Sequence, residues 1–420
     1  MHEYGSEPTQ EAPGAATGPL RTVDLDRGTN QNGVRLYNER LVLTLIRRLG
    51  RLPKAEIARL TSLSAQTVTG IVNRLERDAL LVRGDLQRGR VGQPSVPFTL
   101  NPDGALSLGL KIGRRSCDLY LVDFAGAVRA RRTHLYTYPL PEEITAFVRE
   151  DLAALTRDLP EPLLARIAGL GIAAPFELWN WEAEIGAPRQ AMDRWRSFEI
   201  QTEIARLCPW PVILCNDATA ACAAEMFFRH GGRHQDFIYF FVGSFVGGGV
   251  VLKGSLFPGR GGNAGAVGSM PIGAPNGRGG VTSLQLIRRA SLYVLEQKLI
   301  AAKLDPSAIW RTPEDWPEFG GPLDEWIEEA AGGLALAALA ATSVIDFQAV
   351  IIDGAYPAAI RTRVARRTAE LLERMDRQGL SPVVVEEGSI GHGARAMGGA
   401  ALPMLANFAP DREVLFKDRA

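Results

Sequence analysis

The sequence predicts a mixed α/β protein in two parts. A small helical unit with a β-hairpin comes first, and a larger domain of alternating strands and helices follows. Three observations predict it. Residues 31–100 hold 12 Lys and Arg against 5 Asp and Glu, within a chain whose 47 basic and 47 acidic residues cancel. Three apolar patterns at helical spacing recur in that stretch, followed by two short extended runs. Beyond it, short apolar runs such as "IAGLGIAAP" and "PVILCND" alternate with helical patterns, which is how a doubly wound sheet reads.

Composition narrows the field. The chain has 420 residues, 46% of them hydrophobic and 22% charged, enough for two or three domains with a large core. Residues 1–30 are polar and rich in Pro and Gly, without an apolar stretch suited to a signal peptide, and are expected to be a disordered tail. No apolar run approaches the ~18 residues of a membrane span. The four cysteines, Cys117, Cys208, Cys215 and Cys222, form no C-x-x-C pair and sit in apolar segments. They read as buried thiols of a cytoplasmic protein.

The basic unit, 31–100, reads as a winged helix-turn-helix. "NERLVLTLIRRLG" places Leu41, Leu45, Ile46 and Leu49 at helical spacing and stops at Gly50. In "LPKAEIARLT", Pro53 suits a first turn, with Ile57 and Leu60 facing inward. "AQTVTGIVNRLERDAL" follows, with Ser64 as N-cap and Val68, Ile71, Val72 and Leu75 on one face. Its polar side carries Gln66, Thr67, Thr69, Asn73 and Arg74. Small hydroxyl and amide groups suit base edges in a major groove, and a guanidinium suits phosphate. The following segment reads as strand, basic loop and strand, with Arg88 and Arg90 placed to reach DNA backbone or a narrow minor groove. Double-stranded DNA is the partner this unit predicts.

The larger domain, 101–420, opens on "LGLKIGRRSCDLYLVDF", two strands about a tight turn. Later come "VILCNDATAACAAE" and "FVGSFVGGGVVLKGSLFPGRGGNAGAVGSMPI". In this order, and after the winged segment ending in "GQP", these motifs resemble the ROK family of transcriptional regulators, the group of the xylose and N-acetylglucosamine repressors. The resemblance runs over roughly residues 35–405. It implies a winged helix joined to a two-lobed, actin-like domain of the sugar-kinase type.

The departures from that family carry the functional expectation. ROK kinases place an Asp and small residues in the first hairpin to hold magnesium and phosphate. Here Lys111, Arg114 and Arg115 stand instead, and long side chains obstruct an anion's approach to backbone N–H groups. The family's later phosphate turn is "IDGAY", where the charge of Asp353 is expected to repel nucleotide. Its zinc site has lost its His, replaced by Ser269, and the loop "GAPNGRGGVTSLQ" has no cysteine, so no metal is expected. No cofactor is expected either.

The resemblance implies that part of a sugar pocket survives. Asn216 and Asp217 match the family's polar pair, whose Asp acts as catalytic base in the kinases. Without catalysis, that carboxylate can still accept two sugar hydroxyls. A carboxylate capping the next helix is the simpler reading. Gly243, Ser244, Asn263, Ser269 and Gln285 are the further candidates, with Arg189 marking an acidic or phosphorylated sugar. Trp195 could stack on a sugar or belong to the core, and His392 reads as structural. The expectation is a sugar-responsive DNA-binding regulator, a repressor of carbohydrate uptake or catabolism genes without catalytic residues. It would act as a homodimer or homotetramer. The alternative is a ROK-type sugar kinase with an appended DNA-binding domain.

Overall fold

The computed structural model describes residues 31–85, 96–176, 178–181, 186–229, 231–232, 234–275 and 281–410. Helix α1 (Gln31–Leu49) ends where Gly50 turns left-handed at φ 81°. Helix α2 (Lys54–Thr61) starts directly after Pro53 and ends at Ser62, also left-handed at φ 56°. Helix α3 (Ala65–Arg77) is capped by Ser64, whose hydroxyl accepts from Thr67 N at 3.1 Å. Strands β1 (Leu52–Pro53), β2 (Leu81–Arg83) and β3 (Pro97–Leu100) pair antiparallel in the order β1-β3-β2. Arg88 and Arg90 lie outside the described residues.

The apolar face of α3 is buried as its spacing predicts, through Val68, Ile71, Val72 and Leu75. The inward faces of α1 and α2 need correction. Ile46 and Ile57 are buried as expected, but Leu49 and Leu60 are exposed, and α1 buries Val42, Leu43 and Arg47 besides. The reason is that α1 packs on two sides at once. One side meets α3 and β3, and the other meets the larger domain.

That domain repeats one sheet plan twice. The first sheet holds β4 (Leu106–Ile112), β5 (Ser116–Asp123), β6 (Val128–Leu135), β7 (Ile167–Ala174) and β8 (Val212–Asn216), in the order β6-β5-β4-β7-β8. The second holds β9 (Phe237–Val242), β10 (Val246–Leu252), β11 (Ser255–Leu256), β14 (Ala349–Gly354) and β15 (Val384–Glu387), in the order β11-β10-β9-β14-β15. In each, an antiparallel meander is extended by two parallel strands. The remaining pair, β12 (Pro271–Pro275) and β13 (Val281–Gln285), forms a separate ribbon.

Helices cover both faces of both sheets. Helix α4 (Pro141–Thr156) buries Ile144, Val148 and Leu152 among the side chains of the first sheet. Helices α6 (Leu292–Ala301), α7 (Gly321–Thr342) and α8 (Ala358–Glu373) enclose the outer face of the second. Between the sheets lie α5 (Asp217–Phe228) and α9 (Ala394–Phe408). Small residues let them approach. A Cβ on Gly109, Gly171 or Gly398 would overlap the backbone of Ala396, Gly399 or Ala220. The C-terminal helix thus completes the first lobe although it follows the second in sequence.

The helical unit docks on this central layer. The Arg47 guanidinium is buried, donates to Phe124 O at 2.6 Å, and lies 3.9 Å from the Phe227 ring centre. Burial pushes its pKa down to about 9, still charged at neutral pH. Arg40 donates to Ala409 O at 3.3 Å, and Arg166 donates to Asp78 O at 3.2 Å. One apolar cluster runs from Val42 and Leu75 through Phe124 and Phe227 to Met404.

Candidate functional site

On α3, Gln66, Thr67, Thr69 and Asn73 form an exposed polar face. Not all of it is free. Thr69 Oγ1 donates back to Ala65 O at 2.8 Å, and Asn73 Oδ1 accepts from Lys54 Nζ at 2.7 Å. Ser64 is engaged in capping. Arg74 is drawn back onto Glu39 of α1, so it braces the unit instead of extending toward phosphate. Arg77, not anticipated from the sequence, is exposed at the end of the same helix.

In the cleft between the lobes, a cavity of about 300 Å³ gathers Asn216, Asp217, Asn263 and Ser269, with Thr219, Arg114, Phe176 and Phe245. The junction of β8 and α5 places the first two. Asn216 caps α5, its Oδ1 accepting from Ala218 N at 3.1 Å and Thr219 N at 3.2 Å. Its carbonyl is therefore spent on capping. Asp217 Oδ1 accepts from Ala218 N at 3.0 Å, while Oδ2 faces Arg395 Nη1 at 3.2 Å. The carboxylate is thus already engaged by a cation from α9.

Other expected residues do not meet there. Gln285 is exposed and lies outside the wall of this cavity. Arg189 is far out on the surface, 3.9 Å from Asp193. Gly243 O accepts from Leu292 N at 2.9 Å, and Ser244 faces a neighbouring cavity. Trp195 is a core residue whose Nε1 donates to Pro139 O at 3.1 Å.

The neighbouring cavity, about 420 Å³, lies where the first hairpin faces the second lobe. Lys111 Nζ pairs with Asp118 Oδ2 at 2.7 Å, and Thr133 Oγ1 donates to Asp118 Oδ1 at 2.8 Å. Burial alone would push the Asp118 carboxyl up, but the Lys111 ammonium and these hydrogen bonds hold it below its usual range. Arg114 stacks over Phe245 at 4.1 Å. Arg115 donates to Thr137 O at 2.6 Å and faces Trp310 at 5.6 Å. His392 lines the same cavity, its Nε2 3.1 Å from Glu314, and burial lowers its pKa.

The expectation for Asp353 is corrected. Its carboxylate is fully buried and accepts from Tyr239 Oη at 3.1 Å, Gly391 N at 3.0 Å and Gly354 N at 2.8 Å. It ties the end of β14 to the turn before α9 and faces neither cavity. Among the described residues, no group of three His, Cys, Asp or Glu side chains is arranged to hold a metal ion.

Fold and cleft together define a two-lobed α/β protein of the sugar-kinase type that carries an N-terminal helix-turn-helix unit. Residues 107–283 match the model of the ROK family. The chain is similar to the xylose repressor of Caldicellulosiruptor bescii, 26% identical over 58% of this chain and 60% of that protein. The xylose repressor of Bacillus subtilis is 23% identical over 58% and 62%, and the DNA-binding transcriptional dual regulator NagC of Escherichia coli 23% over 58% and 59%. The matched region thus spans about three-fifths of the length of these relatives.

Among solved structures, a ROK family transcriptional regulator, a homologue of the E. coli MLC protein, superposes with a TM-score of 0.60. It is 19% identical over 90% of this chain and 97% of that one. A ROK family glucokinase from Streptomyces griseus, solved with glucose and AMPPNP, superposes with a TM-score of 0.53 at 20% identity, over 71% and 99%. These likenesses establish the fold. No helix among the described residues is long and apolar enough to cross a membrane.

Proposed function

We propose that this chain is a sugar-responsive DNA-binding transcriptional regulator, a repressor of carbohydrate uptake or catabolism genes. In this reading residues 31–100 bind operator DNA and residues 101–420 bind the effector without catalysis. The observation that carries it is the first hairpin. Where a kinase needs small residues around phosphate, Lys111, Arg114 and Arg115 fill the turn and are held by Asp118, Phe245 and Thr137. The polar cleft beside it keeps Asp217, Asn263 and Ser269 together. The names of the relatives, xylose repressor and NagC, support the same reading.

The α3 face would enter the major groove, with Gln66, Thr67, Thr69 and Asn73 toward base edges. Two copies in a homodimer would read a pseudo-palindromic site. A sugar in the cleft would bias the closure of the lobes and so the spacing of the two helical units. The retained Asp217 favours the alternative, a kinase with an appended DNA-binding unit, and one pair of experiments separates them. The purified chain is titrated against its own upstream DNA at several salt concentrations, then incubated with Mg-ATP and a hexose panel. Salt-sensitive, sugar-responsive DNA binding without sugar phosphate is the expected result. Phosphorylated sugar, or no DNA binding, overturns the reading.

A further inference from the structure

The 420 Å³ cavity has an unusual lining for a chain of zero net charge. Six Lys and Arg side chains face it against three Asp and Glu. Two of the three acids are already shared, Asp118 with Lys111 at 2.7 Å, and Glu314 with His392 at 3.1 Å and Arg131 at 3.7 Å. Ser244 also lines the wall, while the hydroxyls of Ser116 and Thr133 are already turned to Asp118. In the same wall, the buried Arg395 Nε has no hydrogen-bond partner. Buried guanidinium groups are seldom left so, because an unmade charged hydrogen bond is costly.

We infer that this cavity is a second effector site, for a compact oxyanion carrying two or more negative charges. Guanidinium forks and a hydroxyl recognise such an anion directly. A nucleotide is a poorer match, since the hairpin turn is filled by Arg114 and the Trp310 face is already covered by Arg115. The two cavities share residues. Arg114 lines both, and Arg395 lines the larger one while its Nη1 holds Asp217, in the wall of the smaller, at 3.2 Å. An anion that draws Arg395 toward itself frees the Asp217 carboxylate for hydroxyl donors. Anion and sugar would therefore bind cooperatively, and by linkage each would tighten the other equally. This coupling rests on the sugar-binding reading above; the anion site itself does not.

The test is calorimetric titration of the full chain at low ionic strength with inorganic phosphate, pyrophosphate, citrate and Mg-ATP, with chloride as control. The phosphate and citrate arms distinguish a phosphate-type from a carboxylate-type ligand. Saturable binding of at least one multivalent oxyanion is expected, with Mg-ATP no tighter than pyrophosphate. Arg395→Gln should weaken it at least about tenfold, the size of one charge-assisted hydrogen bond. The double variant Arg131→Ala/Arg311→Ala, at more exposed positions, should also weaken it and keeps the test open if Arg395→Gln does not fold. Absence of saturable binding, or affinity unchanged in both variants, overturns the site. In a second arm the sugar panel is titrated with and without the bound anion. Equal sugar affinity in both overturns the coupling. A panel in which no sugar binds overturns the coupling together with the proposed function and leaves the anion result standing.

Discussion

Replacing Arg47 should loosen the joint between the helical unit and the two-lobed domain. Its guanidinium donates to Phe124 O at 2.6 Å and lies against the rings of Phe227 and Phe124, at 3.9 Å and 4.6 Å. The hydrogen bond of a charged group contributes about 1.5–3 kcal/mol. Each aromatic contact adds about 0.5–2 kcal/mol. Desolvation of the charge, visible in the lowered pKa of about 9, acts in the opposite direction. Arg47→Met keeps the packed stem, loses the polar contacts and relieves that cost, so it should destabilise by about 1–2 kcal/mol. Arg47→Ala also removes buried methylenes at about 0.8 kcal/mol each and should reach about 3–4 kcal/mol. Urea unfolding followed by tryptophan fluorescence measures both. An Arg47→Ala chain within about 0.5 kcal/mol of the parent, the scatter of ordinary surface changes, would refute the argument. The joint also has a functional consequence. If α1 transmits closure of the cleft, Arg47→Met should keep DNA affinity while blunting its sugar response.

Further outcomes follow from other contacts. Gly398→Ala places a methyl in the backbone of Ala220 and should cost about 3 kcal/mol or more in urea unfolding, since neither helix has room to yield. Asp118 is an acid whose folded pKa lies below its ordinary 3.8. The stability it contributes is therefore fully present above that value and is lost as pH falls through it toward the folded pKa. The urea midpoint should drop below about pH 4.5, and Asp118→Asn should remove that component of the drop. Gln66→Ala should relax base preference in a binding-site selection by about 1–3 kcal/mol at one position. Arg77→Ala should weaken binding to all sequences alike and lower the salt slope by about 1.

Much of the fold was legible in the sequence because it rests on local rules. Ser64 is an N-cap, Gly50 ends α1, and the apolar face of α3 is buried, all as spacing and capping chemistry require. The hairpin at 106–123 and the strand near 349–354 followed from short apolar runs between turn signals. Asn216 and Asp217 could be singled out because "VILCNDATAACAAE" resembles the ROK family's motif at that position. Arg395 could not, although a lone Arg in "HGARAMGGA" was the available signal. Its meaning depends on α9 crossing back to the first lobe, some 178 residues in sequence from Asp217.

The sequence by itself determined most of the secondary elements, the basic character of residues 31–100 and the presence of Lys111, Arg114 and Arg115 in the first hairpin. Each is set by side-chain type within a few neighbouring positions, where propensity and charge act directly. Only the tertiary structure decided what the charged side chains do. Arg74 turned to Glu39, Arg47 became buried between aromatic rings, Asp353 became an internal tie, and Arg395 took hold of Asp217. A charge is costly to bury alone, so its role is fixed by whichever opposite charge or acceptor the packed helices bring within about 3 Å.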